Sequence, residues 1–182
     1  WQKQSLFEGS ARVPFLIVAP GVGQKGAVVK SPVSQVDLFP TLAELAGVKA
    51  PDNLQGQSLV PMLKDPAVEG RGWAITQVVR GGNFNRMGAA PSIMDKGKRF
   101  FGYSLRTARY RYTEWDEGAQ GSELYDHDND PQELVNLAAK PEHAATVKEL
   151  SAKLREAAKG TFPKNGETPV ISDKAPWAQI GR

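Results

Sequence analysis

The apolar positions of this chain change period several times, and each change predicts an element. Pro14–Ala19, PFLIVA, is a continuous apolar run bounded by Arg-Val-Pro and by Pro-Gly. Such a run predicts a strand buried on both faces of a mostly parallel sheet. It is far shorter than the ~20 apolar residues a membrane-crossing helix needs. A strand buried on both faces needs neighbours on both sides, and little sequence precedes this one. Its partners are expected later in the chain or on polypeptide outside it, so the chain reads as the back part of a larger protein.

After a Gly-rich loop at Gly21–Gly26, Val33–Gly47 has helical period. Asp37 suits an N-cap, Pro40 falls in the first turn, and Gly47 is a natural stop. Leu38, Leu42, Leu45 and Ala46 form a stripe that predicts a core-facing helix. A short helix is expected around Ser58–Leu63, and Pro66 with Gly70–Gly72 reads as a linker.

Beyond the linker the pattern turns to strands. Trp73–Val79, Arg99–Thr107, Arg109–Trp115 and Ser122–Asp126 are the predicted strands, with a tight turn at Ala108. In the third of these, Tyr110 and Tyr112 share one face and Arg109, Arg111 and Thr113 the other. The basic face is expected in water. Gly81–Lys98, rich in Gly, Asn, Ala and Pro, is a long loop of the kind that usually serves function or moves. Asp130, Pro131 and Glu133 look like a capping box opening a helix. Pro141–Lys159 is the longest predicted helix, with Val147, Leu150, Leu154 and Ala157 on one face and Gly160 at its end. Thr161–Arg182 is expected to be an extended tail pinned by Trp177. The expected division is 1–66, the closing elements of an α/β domain, then 67–160, a small antiparallel sheet backed by a helix, then the tail 161–182.

Composition narrows the function classes. A net charge of +3 without a clustered Lys/Arg stripe argues against a nucleic-acid binder. The absence of cysteine excludes disulfides, a thiolate nucleophile and a zinc-thiolate site. No membrane span or signal segment is visible in these residues. Asp126–Asp130 resembles the opening of a calcium loop, but Pro131 stands where glycine is needed and Leu137 where a bidentate glutamate is needed. It is read as capping and turn, and no residue here is assigned to a metal. The two histidines, His127 and His143, are read as structural or surface residues. Lys3 is the sharp candidate. It precedes a strand of an α/β sheet, where ligand sites gather, and offers a compact charge and three donors to an anionic oxygen. Arg12 suits a structural ion pair with Glu8.

Several stretches together resemble the C-terminal portion of the sulfatase family. They are WQKQSLFEGSARVPFLIVAPG, VSQVDLFPTLAELAG, LQGQSLVPML, GYSLRTARYRYTEW and ELYDHDNDPQELVNLA. The hairpin wording is most similar to the iduronate-2-sulfatase-like branch. The resemblance implies an α/β, alkaline-phosphatase-like fold. This chain would be a C-terminal fragment, holding the end of the large mixed sheet, a small antiparallel sheet and a packed C-terminal helix. It implies hydrolysis of sulfate esters, of sulfated sugars or glycosaminoglycan-like glycans, by an enzyme whose formylglycine and calcium lie in a missing N-terminal part. No formylglycine motif and no calcium loop of the family occur here, so no cofactor is expected on this chain and the fragment alone is expected to be inactive.

By the same resemblance Lys3 maps onto the lysine that contacts the substrate sulfate. Arg80 and Lys96, flanking and within the long loop, are candidates for a sugar carboxylate. The implied partners are a sulfated carbohydrate and the missing N-terminal sulfatase domain, with no nucleic acid or membrane. A cut sheet should also expose apolar surface and favour self-association. The family habit implies a periplasmic or secreted location. Two rivals stay open: a phosphatase or phosphotransferase of the same superfold, and an anion- or glycan-binding module without catalysis.

Overall fold

The computed structural model describes residues 5–80 and 100–161. Its centre is a four-stranded antiparallel meander: β1 (Trp73–Arg80), β2 (Phe100–Thr107), β3 (Tyr110–Trp115) and β4 (Ser122–Asp126), in the order β1-β2-β3-β4. The four strands match the sequence expectation to within a residue or two. Trp73 pairs with Thr107 and Arg80 with Phe100, so the whole of β1 is zipped to β2.

Alternation gives the sheet two different faces. On the first, Leu105, Tyr112 and Leu124 pack against Leu150, Leu154 and Ala157 of the last helix, α4 (Ala144–Lys159). Trp73, Ile75, Tyr103 and Val147 edge this core. The predicted helix face is therefore the one that is buried. The pKa of the Tyr112 hydroxyl is pushed up to about 12 by its burial and by Glu114, to which it donates at 3.0 Å.

The second face is polar: Ser104 and Arg106 from β2, Arg111 and Thr113 from β3. The expectation that this basic side faces water holds for Arg109, which is exposed, and is wrong for Arg111 and Thr113, which are only 2 % and 0 % exposed. The covering element is the start of the chain, residues 5–12, with one short helical turn, α1 (Glu8–Ala11). Leu6 is buried close to Gly102, where a Cβ would run into the ring of Trp115. Phe7 meets the ring of Tyr125 at 5.9 Å.

Two further expectations fail, and one is met by nothing among the described residues. Pro14–Ala19 joins no sheet among the described residues, and its Leu16 and Val18 are 84 % and 91 % exposed, so of its two expected sources of partners the later part of the chain supplies none there. All four described strands are already paired in the meander, and β1 and β4, its edges, take no fifth strand from this run. The helix in Val33–Gly47 forms, as α2 (Leu38–Leu45), but its apolar stripe faces outwards: Leu38, Phe39 and Leu42 are exposed while Pro40 and Thr41 are buried. No helix follows Asp130. Its carboxylate accepts the amides of Leu134 and Val135 at 3.1 and 2.8 Å, but Glu133 sits at φ +58, a left-handed conformation that stops a helix.

The α2 segment is held from its polar side. Asp37 is fully buried, and its carboxylate accepts the amides of Ser34 and Gln57 at 2.8 and 2.9 Å and the guanidinium of Arg71. Thr41 accepts the Leu59 amide at 2.9 Å, just before the short helix α3 (Val60–Lys64). Gly56 lies so close to the carbonyl of Val36 that any Cβ would collide with it. Arg71 then stacks on Trp73, 5.1 Å from the ring centre, which joins this segment to the start of β1.

Leu154→Ala should remove a fully enclosed side chain from the α4 core. The expected cost is about 2–5 kcal/mol, read as a lower denaturation midpoint; a change within about 0.5 kcal/mol, the usual range at a surface site, would contradict the packing described.

Candidate functional site

The polar face of the sheet collects charges from three distant stretches. Glu8 comes from α1, Arg106 and Arg111 from the β2–β3 hairpin, and His127 and Glu133 from the turn after β4. A left-handed Glu133 and the tight turn at 126–130 bring the last two over the sheet. Arg111 donates from Nε to Glu133 Oε1 at 2.5 Å, from Nη2 to Glu8 Oε2, and from Nη1 to Ser104 Oγ at 3.2 Å. Arg106 Nε donates to Glu8 Oε2 at 3.2 Å. The amide of Glu8 donates to Glu133 Oε2 at 2.7 Å, so this glutamate is held by side chain and backbone together. The ion pair expected between Arg12 and Glu8 is present at 3.5 Å, at the exposed rim.

His127 closes the ring. Arg106 Nη2 lies 2.9 Å from its Nδ1, and its Nε2 lies 2.9 Å from Glu133 Oε1. A guanidinium has only hydrogens to offer, so Nδ1 must accept. Nε2 then carries the hydrogen and donates to Glu133, which makes His127 the neutral Nε2–H tautomer. Two carboxylates therefore face the guanidinium groups of Arg106 and Arg111, with Arg12 at the rim as a third, so the cluster already holds more positive than negative charge.

Glu8, His127 and Glu133 have ligand atoms within 4.8 Å of one another, the spacing of a metal site. The chemistry does not fit one. Both imidazole nitrogens are engaged, and each carboxylate already neutralises a guanidinium. A divalent ion would have to displace Arg106 and Arg111 and sit beside their charges. The arrangement is a buried ion-pair clamp. Burial pushes the Glu8 carboxyl up, but Arg106 and Arg111 more than offset this and hold it below its ordinary 4.5.

The candidates named from sequence fare differently. Lys3 and Lys96 lie outside the described residues, as do the long loop 81–98 and Trp177. Arg80 ends β1 on the polar face, its guanidinium 5.5 Å from the ring centre of Trp115 and donating to the Val79 carbonyl at 3.2 Å. The Asp126 carboxylate is gripped by Arg109 at 2.9 and 2.7 Å, which holds it well below the usual carboxylate range. That grip agrees with reading Asp126–Asp130 as a turn. Sequence reasoning missed Arg111 and Glu133. The one available signal was an arginine alternating with tyrosines in a strand otherwise built for burial.

The solved structures that this helix-backed antiparallel sheet superimposes on make it the C-terminal part of an alkaline-phosphatase-like α/β fold of the sulfatase kind. Residues 1–160 match the family model described as N-sulphoglucosamine sulphohydrolase, C-terminal, and the chain belongs to that family. It is similar to the ulvan-active sulfatase of Formosa agariphila, 34% identical over 157 residues, covering 86% of this chain and 28% of that protein. It is also similar to arylsulfatase K of Gallus gallus, 34% identical over 175 residues, covering 91% of this chain and 29% of that protein. Among solved structures, a phosphonate monoester hydrolase from Silicibacter pomeroyi superimposes with TM-score 0.69 at 28% identity, over 88% of this chain and 32% of that one. A 2-O GAG sulfatase superimposes with TM-score 0.59 at 27% identity, over 82% and 30%. The chain thus spans less than a third of the length of each of these relatives. Among the described residues no helix is long and apolar enough to cross a membrane.

Glu8 sets a sign for acid stability. Its carboxyl is more acidic folded than unfolded, so its contribution is complete above 4.5 and is lost as pH falls through the lower folded value. Melting temperature should fall on acidification below about pH 4.5, and Glu8→Gln should flatten that fall. An identical slope in the variant would remove Glu8 from the clamp. Arg111→Ala, which takes from the buried Glu133 its guanidinium partner, should cost about 3–5 kcal/mol in a denaturant titration, and a loss under about 1 kcal/mol would place the pair in solvent.

Proposed function

We propose that this chain is the C-terminal part of a sulfatase that hydrolyses sulfate esters of sulfated sugars or glycosaminoglycan-like glycans. The match over residues 1–160 carries this reading, because it takes in the Lys3 segment together with the sheet. The open apolar flank supports it. Phe15, Leu16, Val18, Val28, Phe39 and Leu42 are exposed on the segments that precede the small sheet. A surface of that kind needs a cover, and the N-terminal part of the sulfatase fold is the cover proposed. The chain without its cover would be inactive and would tend to self-associate.

In this reading the Lys3 ammonium contacts the substrate sulfate. Cleavage puts charge on the sulfonyl oxygens and on the leaving oxygen, and a fixed cation stabilises the transition state more than the ground state. The formylglycine and a calcium ion, held by the N-terminal part, would supply the nucleophile and the charge opposite the sulfate. Arg80 at the end of β1, with Lys96, is proposed to meet a sugar carboxylate; the stacking of Arg80 on Trp115 is the support for a fixed guanidinium there. The wording of Gly102–Trp115 supports a place near the iduronate-2-sulfatase-like branch. The names of two relatives, an ulvan-active sulfatase and a 2-O GAG sulfatase, support a sulfated polysaccharide and with it a periplasmic or secreted location.

The likeness to a phosphonate monoester hydrolase keeps a second reading, phosphoryl chemistry on the same superfold. An aryl sulfate tested beside an aryl phosphonate on the whole polypeptide decides between them. The sulfate should be the better substrate by kcat/KM, and the reverse order would favour the rival. Lys3→Ala should lower sulfate turnover by about 100-fold or more, the loss expected for one transition-state donor, with the melting temperature unchanged. Wild-type turnover in that variant would take Lys3 out of the site.

A further inference from the structure

We infer that the groove between β1 and the C-terminal half of α4 is a binding site for a sulfated sugar. The choice of a sulfated sugar rests on the function proposed above; the groove itself does not. Its volume is about 570 Å³, inside the ~300–1,000 Å³ range of small-ligand sites. The floor is the side of the sheet that α4 leaves open. Trp73 and Ile75 alternate along β1 with Gln77 on the same face, and Tyr103 stands opposite Gln77 in register. One wall is a stripe of α4, with Lys153, Glu156 and Ala157 at helical spacing. The other is the junction before β1, where Ser34, Gln55 and Arg71 line it. The walls are tied together. Arg71 Nη1 donates to the Gln55 carbonyl at 3.0 Å, and Gln55 Nε2 donates across to the Thr161 carbonyl at 2.8 Å. A site held in this way needs little ordering when a ligand enters.

The lining has the chemistry of a sugar ring. A pyranose presents an apolar face of C–H bonds and a rim of hydroxyls. Two half-buried aromatic side chains and an isoleucine match the face. Gln77, exposed at the edge of the floor, and Ser34 bring donors and acceptors for the rim. Charge then points to a sulfated ring. Arg71 is already spent, stacked on Trp73 and paired with the buried Asp37. Lys153 is half-buried, yet among the described residues its ammonium has no hydrogen-bond or ion-pair partner. Glu156, one turn on, is exposed and does not pair with it. An ammonium beside an apolar floor without a counter-charge suits the oxygen of a sulfate ester. A protein partner fits less well, since a stable interface needs about 800 Å² on each side and this groove is of small-ligand size.

The test reads the rate at which Lys153 is acetylated in the whole polypeptide, by peptide mass spectrometry, with a sulfated glycosaminoglycan tetrasaccharide as the probe. The tetrasaccharide should slow acetylation of Lys153 about 10-fold when present at about ten times its Kd. Lys148 and Lys159, exposed on the same helix, should be unaffected. The chemically desulfated tetrasaccharide should protect nothing. Gln77→Ala, a change at an exposed strand position, should raise the concentration for half-protection about threefold, the worth of one ordinary hydrogen bond, and leave aryl sulfate turnover as it is. No protection of Lys153, equal slowing at Lys148 and Lys159, or protection unchanged in Gln77→Ala would overturn the site. Protection that appears only in a chain cut after Thr161 would give the groove to residues 162–182 and overturn it too. Binding is read without turnover, so these failures leave the sulfatase reading standing. Absence of aryl sulfate turnover would overturn that reading without moving the protection of Lys153.

Discussion

An arginine with almost no exposed surface sits between two glutamates that are 125 residues apart in sequence. Arg111 is the largest fully enclosed side chain on the polar face of the sheet, and its charge cannot be left unpaired there. That requirement dictates what must lie above it. Glu133 has to turn inwards, which is why its backbone takes φ +58, and Glu8 has to arrive from the start of the chain. The sheet is thus closed by two unlike layers, an apolar one from α4 and a charged one from residues 5–12. Burial drives the first; pairing gives the second its single geometry.

A second hub repeats the logic at smaller scale. Asp37, also enclosed, gathers two backbone amides and Arg71, and so ties the α2 segment to the entry of β1. The residues that look like helix punctuation in VDLFPT and LQGQSL are the ones that make this junction. Because α2 is gripped from its polar side, its apolar side is left facing out, continuous in character with Phe15, Leu16 and Val18.

The meander and α4 were legible in the sequence because their signals are local. Alternating aromatics with a turn at Ala108 mark the hairpin, and Val147, Leu150, Leu154 and Ala157 mark a helix with one apolar face. The errors share one cause: a period shows which residues lie on a common face, but not what that face meets. Arg111 and Thr113 share a face, as alternation predicts, but that face does not meet water, since the Glu8 that covers Arg111 lies 103 residues away. The stripe on α2 is real, but among the described residues nothing packs over its Leu38 and Leu42. At Asp130 the capping chemistry is real, and only the helix that should follow is missing, because Glu133 is drawn to Arg111. Of the candidate site, the Glu8–Arg12 pair was visible at i, i+4 spacing, while the roles of Glu133 and His127 depend on long-range pairing that no spacing reveals.

The central claim is that residues 5–12 are locked onto the charged face of the small sheet. Amide hydrogen exchange at Glu8 tests it most directly, since that N–H is directed at Glu133 Oε2 at 2.7 Å. The account predicts protection at Glu8 comparable to that of the β3 amides, and loss of that protection in Glu133→Gln. Exchange at the rate of an open chain in the unmodified polypeptide would contradict it.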